Sequence, residues 1–233
     1  MARLELIDIT KHYRQGADTV KALDGVTLTF EAGEFVSVVG RSGSGKTTLL
    51  DVAGLLLRPT AGRVVIGGQD TARLSDSRRA ELRGRRIGFV FQEYNLLPSL
   101  DLLENVMLPR RYTKLPGSAR QRAQELLAAT GLADRAGHRP SELSGGQQQR
   151  GAIARALMNE PDVILLDEPT GAVDSDTAAE LMNVLEDLNQ ESGVTVILVT
   201  HDVELAARTD RQIRLRDGLV VADELSAPVA AAI

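Results

Sequence analysis

Short runs of alternating apolar and polar residues open the chain, at Leu4–Ile9, Val26–Phe30 and Phe35–Val39. Alternation of period two puts successive side chains on opposite faces of a strand. With the turn pairs Asp24-Gly25 and Ala32-Gly33 between them, the runs predict three strands. From Lys46 to Leu57 the spacing changes: Leu49, Leu50, Ala53, Leu56 and Leu57 fall on one face of a helix, which Pro59 ends. Further strands are predicted at Arg63–Ile66, Ile87–Phe91, Val163–Asp167, Val194–Thr200 and Ile213–Arg216, with helical stretches between several of them. Between Gln92 and about Asn159 no strand-like run occurs, while Ala119–Thr130 and Gln147–Met158 are rich in helix formers. The pattern predicts an α/β core interrupted by an inserted helical lobe. No internal repeat is visible, and Leu225–Ile233, with its Ala-rich end, reads as a loosely ordered tail.

Composition narrows the classes. The 233 residues, 43% hydrophobic and 25% charged, suffice for one large domain or a domain with a lobe inserted. No cysteine is present, which removes disulfides and Cys-ligated metals. A net charge of −5 argues against a general nucleic-acid binder. The local run Arg78, Arg79, Arg83, Arg85 and Arg86, with Glu81 interspersed, reads as a solvated helix face. The longest apolar runs, Val163–Leu166 and Val194–Val199, fall far short of the roughly 20 residues a membrane helix needs. Met1–Glu5 carries an acid and no long apolar core, so no secretory signal is expected and the protein is expected inside the cell.

Gly40-Arg41-Ser42-Gly43-Ser44-Gly45-Lys46-Thr47 follows a predicted strand and opens a predicted helix. That is the Walker A pattern in its required setting: glycines let backbone N–H groups turn in around phosphates, the lysine reaches the β- and γ-phosphates, and the threonine offers a hydroxyl to Mg²⁺. Val163-Ile164-Leu165-Leu166-Asp167-Glu168 is an apolar strand ending in two acids. Beside a Walker A loop, Asp167 suits a Walker B aspartate at the metal and Glu168 a general base for the attacking water. A third segment, Leu143-Ser144-Gly145-Gly146-Gln147 followed by Gln148-Gln149-Arg150, is again a small-residue turn opening a helix, offering Ser144 and backbone amides to an anion.

This third segment resembles the signature sequence of the ABC ATPase family, and the three motifs stand in that family's order. The resemblance extends to about Ala222. It implies an α/β P-loop NTPase of the ABC-ATPase fold, with a RecA-like core, an N-terminal antiparallel β subdomain and an inserted α-helical subdomain. The corresponding divisions are an ABC ATPase domain over 1–222, a helical subdomain at about 93–159 and a short tail over 223–233. It further implies ATP and Mg²⁺ as ligands, with nucleotide contacts from Gly40 through Thr47 and Thr48. Tyr13 would stack on adenine, Gln92 would touch metal or water in a Q-loop, and Gly171-Ala172-Val173-Asp174 would be the D-loop. His201 would reach the γ-phosphate. The metal would lie at Thr47, Gln92 and Asp167, with Glu168, His201, Gln92 and Lys46 as the catalytic set. Ser144, Gly145, Gly146 and Gln147 of one copy would close on the ATP of another, giving a homodimer with two composite sites.

The resemblance also implies membrane permease subunits on separate chains, a cytoplasmic protein peripheral to the inner face of the membrane, and no nucleic acid partner. Phe89 to Pro98, with Leu103-Glu104-Asn105-Val106, is similar to the branch of macrolide exporters, lipoprotein-releasing systems and antimicrobial-peptide transporters. Leu96, Leu97 and Leu100 there would form an apolar socket for a permease segment or pack inside the helical lobe. An importer subunit, a cell-division ATPase and a soluble ABC ATPase remain the alternatives.

Overall fold

The computed structural model describes residues 3–16, 18–113, 115–171 and 173–226. In chain order its elements are β1 (Leu4–Gln15), β2 (Asp18–Phe30), β3 (Phe35–Val39), α1 (Lys46–Ala53), β4 (Ala61–Ile66), β5 (Gln69–Asp70), α2 (Asp76–Arg86), β6 (Ile87–Val90) and α3 (Leu102–Met107). Then come α4 (Ala119–Ala129), α5 (Gly145–Ala156), β7 (Val163–Asp167), α6 (Ser175–Ser192), β8 (Thr195–Thr200), α7 (Val203–Ala206), β9 (Arg211–Arg216) and β10 (Leu219–Leu225). Two sheets form: an antiparallel one in the order β2-β1-β4-β5, and a six-stranded one in the order β10-β9-β3-β8-β7-β6. In the larger sheet β9, β3, β8, β7 and β6 run parallel and only β10 is antiparallel.

Both faces of the six-stranded sheet are covered, which explains why β7 and β8 read as unbroken apolar runs. Alternate residues feed two cores. Ile164, Leu166, Val196 and Leu198 face the core shared with α3–α6, whereas Val163, Leu165, Ile197 and Val199 face the one shared with α1 and the antiparallel sheet. The stretch without strands between β6 and β7 is helical as expected. Within it, the amide and oxygen of fully buried Asn105 bond Leu97 N–H, Leu97 C=O, Leu100 C=O and Asp101 C=O, fixing the chain that enters α3. Leu96 packs against the helical core, Leu100 is half-buried and Leu97 stays 46% exposed.

Several elements depart from expectation. β1 and β2 extend far beyond Ile9 and before Val26 as a long hairpin, because register shifts along β1 break the alternation by which strands are recognised. The first helix stops at Ala53 rather than Leu57. Gly54 follows it at a point where an added methyl carbon would lie 2.1 Å from the Phe89 ring, and Leu55 turns to φ 59. Residues 223–225, expected in the tail, belong to β10, where Asp223, Glu224 and Leu225 pair with Ile213, Gln212 and Arg211; residues 227–233 lie outside the described residues.

The arginine run on α2 is only partly a solvated face. Arg79 is buried and donates to the carbonyls of Leu55 (3.3 Å) and Leu57 (3.0 Å), and Arg83 donates to that of Leu55 (3.1 Å). They occupy carbonyls left over just past the end of α1. Arg79→Ala should therefore lower unfolding stability by about 1–3 kcal/mol in urea titration, since it leaves the part-buried Leu57 carbonyl without a donor and the Leu55 carbonyl with Arg83 alone. Arg79→Lys, with charge but no fork, should restore only part of the loss.

Candidate nucleotide site

The loop from β3 into α1 is built by close backbone approach. A methyl on Gly40 would fall 2.4 Å from the Leu215 carbonyl oxygen, and one on Gly45, at φ 105, would fall 2.3 Å from that of Ala22. Only glycine fits either position. The loop is braced from outside as well: Gly218 donates its N–H to the Ser44 carbonyl (3.0 Å) and accepts from Asp24 N–H (3.0 Å). Gly45 caps α1 without a side-chain bond, which leaves the first-turn N–H groups of Lys46, Thr47 and Thr48 for an anion. Lys46 is 8% exposed, and its ammonium donates to the carbonyls of Gly40 (2.9 Å) and Arg41 (3.3 Å).

The acids arrive on neighbouring strands. Asp167 ends β7 beside Val199 of β8, and its Oδ1 accepts from the Thr47 hydroxyl at 3.4 Å. Burial raises the Asp167 carboxyl above the usual carboxylate range, the Thr47 hydrogen bond opposes this, and the neighbouring Glu168 charge adds to it. Glu168 takes φ 46, sparsely populated for a non-glycine residue, and its N–H is held by the Val199 carbonyl at 3.0 Å. That turn aims its carboxylate back over the loop. Oε2 lies 2.8 Å from His201 Nδ1 and accepts the His201 N–H at 3.3 Å, while Oε1 lies 3.9 Å from Lys46 Nζ. His201 is otherwise largely exposed.

Gln92 is exposed and reaches the loop after β7: a methyl on Gly171 would lie 3.3 Å from its amide nitrogen and 3.4 Å from the Glu168 carbonyl oxygen. Tyr13 lies at the outer end of the hairpin, 39% exposed, with Lys11 Nζ 5.2 Å from its ring centre. Its cross-strand neighbour Val20, 45% exposed, is part of the same surface and had no motif to mark it.

Gly40 to Thr48, Asp167, Glu168, Gln92 and His201 are thus brought to one sheet edge. The Ser144-Gly145-Gly146-Gln147 segment is not. Ser144 caps α5 in a capping box with Gln147, and a methyl on Gly146 would meet Thr177 of α6 at 2.4 Å. Among the described residues no hydrogen bond or ion pair joins this segment to residues 40–48. Asp174 caps α6 and accepts from the Thr177 N–H and hydroxyl, bonds that lower its carboxyl below the usual range. Ala172, within the expected D-loop, lies outside the described residues.

Two residues near the site escaped sequence reasoning. Asp51 sits four positions after Thr47, hence on the same face of α1; burial and the Asp167 charge raise its carboxyl. That spacing was the available signal. Arg155, on α5, donates to the carbonyls of Tyr94 (2.7 Å) and Asn95, consecutive residues at φ 57 and 51. No sequence signal marks this long-range clamp.

The fold and this constellation define a P-loop nucleotide-binding cassette. The sequence profile of the family described as ABC transporter matches residues 23–171, and the chain belongs to that family. A relative from Rhodopseudomonas palustris (strain HaA2), the macrolide export ATP-binding/permease protein MacB, is 53% identical over 229 residues, covering 98% of this chain and 35% of its own length. The chain spans about a third of the length of such relatives. An uncharacterized ABC transporter ATP-binding protein of Thermotoga maritima is 50% identical over 218 residues, 93% of each protein. Among solved structures, the dimeric ATP-binding cassette MJ0796 bound to ADP and Pi matches with TM-score 0.88 and 45% identity, over 96% of this chain and 99% of that one.

The buried acid at the site has a measurable consequence. A carboxyl raised in the fold contributes stability that is fully present below the ordinary unfolded pKa and lost as pH rises through the raised folded value. Ionised Asp167 therefore weakens the metal-free protein at neutral pH. Asp167→Asn should raise the urea midpoint of metal-free protein at pH 7, with the gain vanishing once the pH falls below the ordinary carboxylate range, where Asp167 is protonated folded and unfolded.

Proposed function

We propose that this chain binds ATP with Mg²⁺ and hydrolyses it between two copies of itself, driving a membrane permease. The observation that carries the reading is the meeting of Glu168, His201 and Lys46 at the phosphate-binding loop. Residues 3–225 form the nucleotide-binding domain, and the helical stretch at about 93–159 is the lobe that engages partners.

In this reading Lys46 exchanges the Gly40 and Arg41 carbonyls for the β- and γ-phosphates, which the α1 amides cradle from the other side. Tyr13, with Val20, offers an apolar face to the adenine. Glu168 accepts a proton from the attacking water as its oxygen bonds the γ-phosphorus and the bond to the β,γ-bridging oxygen breaks. His201 holds the Glu168 carboxylate through Nδ1 and stands exposed where the γ-phosphate arrives. The donor set of Thr47 hydroxyl, Asp167 carboxylate and Gln92 amide oxygen consists of hard oxygens, which suits Mg²⁺. When bound, the ion supplies charge neutralisation at the β- and γ-oxygens.

The separation of Ser144–Gln147 from the loop of its own chain supports a second copy supplying that segment, as does the dimeric assembly described for MJ0796. Relatives named for macrolide export and combining ATP-binding with permease functions support an exporter assignment and a place at the inner face of the membrane. Among the described residues no helix is long and apolar enough to cross a membrane.

Glu168→Gln should retain ATP binding, accumulate as a dimer in gel filtration with ATP, and lose about 10²-fold or more in turnover; wild-type turnover would remove Glu168 from the base role. Lys46→Ala should lose most of its ATP affinity by equilibrium binding. Extraction of a tagged copy in mild detergent should bring with it a permease of few spans and a large extracytoplasmic domain. A many-span permease with a solute-binding protein would make the chain an importer subunit instead.

A further inference from the structure

The β9–β10 turn at Asp217-Gly218 braces the phosphate loop from outside, and beside that brace lies a cavity of about 440 Å³. One wall is residues 40–44 of the loop, the other the end of β9 (Arg214–Arg216) with Asp217 and Val221. Lys46, Thr47, Asp167, Glu168 and His201 do not line it. Three guanidinium groups do: Arg41, Arg214 and Arg216, all exposed and, among the described residues, without a carboxylate partner. The sole acid in the lining is Asp217. Arg211, on the same strand, contrasts with them, bound on both sides by Asp223 and Glu34.

A second observation points into the same space. Ser44 lines the cavity, is 4% exposed, and its buried hydroxyl has no hydrogen-bond partner. A methyl on Gly40 would lie 2.5 Å from this hydroxyl and 2.4 Å from the Leu215 carbonyl oxygen, which puts the hydroxyl on the hairpin side of the loop. A buried hydroxyl without a partner is costly unless a ligand or water meets it.

We propose that this cavity is a second anion site, distinct from the cradle of the phosphate loop, that takes a tetrahedral oxyanion of the size of inorganic phosphate. The arginine forks match pairs of oxyanion oxygens, and the Ser44 O–H supplies a neutral donor at the closed end. Because the loop alone separates this site from the cradle, anions in the two places repel, and each lowers the affinity of the other by the same factor. The proposal does not depend on ATP hydrolysis.

Phosphate titration at constant ionic strength, followed by thermal unfolding without nucleotide, tests it. Phosphate should raise the melting temperature of both the wild-type protein and Lys46→Ala, in which the cradle is impaired. The double substitution Arg214→Ser/Arg216→Ser should abolish most of the rise, with the apparent dissociation constant weakened about tenfold or more. Arg214→Lys/Arg216→Lys, which keeps the charge without the fork, should weaken phosphate binding less and serves if the serine pair does not fold. A rise lost in Lys46→Ala but kept in the arginine variants would place phosphate in the cradle alone and overturn the proposal, as would no rise in any protein.

Discussion

The site depends on the in-register parallel pairing of β3, β8 and β7. Val39 lies beside Thr200, and Val199 beside Asp167, so the loops that leave these strands emerge side by side at one edge. Three segments far apart in sequence thereby deliver a lysine, a histidine and two acids to one place. A slip of one residue in any of these pairings would also exchange the two cores, since alternate side chains of β7 and β8 feed opposite faces. Burial on both faces therefore guards the geometry of the edge.

At that edge the backbone is held tightly. The loop packs so closely on β2 and β9 that side chains at Gly40 or Gly45 would overlap carbonyl oxygens, and Gly218 ties it to both β2 and the hairpin turn. Glu168 adds local strain: its left-handed φ is retained by the bond to Val199 and by two contacts to His201. The Lys46 ammonium and the Glu168 carboxylate are thus held 3.9 Å apart above the loop.

The helical lobe is held together by polar clamps as well as by packing. α5 begins at the Ser144 capping box and ends near Arg155, whose guanidinium holds the strained Tyr94 and Asn95 carbonyls just after Gln92. Burial without a carboxylate partner lowers the pKa of this arginine, so its charge is met by backbone dipoles. One helix consequently links the Ser144–Gln147 turn to the loop that follows Gln92.

Much of this was legible in the chain itself. Walker A, Asp167-Glu168 and the signature segment are contiguous, and their chemistry depends on residue type and on local strand–turn–helix geometry that short-range pattern expresses. The helical insertion was visible because helix formers are dense there and strand signals absent. Other features arise between residues distant in sequence. The outer half of the β1–β2 hairpin was hidden by register shifts, and the early end of α1 is set by Phe89 and Leu165 packing on Gly54 and by Arg79 and Arg83. The Glu168–His201 bond and the separation of Ser144 from its own phosphate loop required the sheet to be assembled first. The sequence by itself determined which groups could do the chemistry, because local propensity and motif spacing act over a few residues. Tertiary structure alone decided which groups meet and which arginines are buried, because those outcomes depend on strand order and on burial across the whole core.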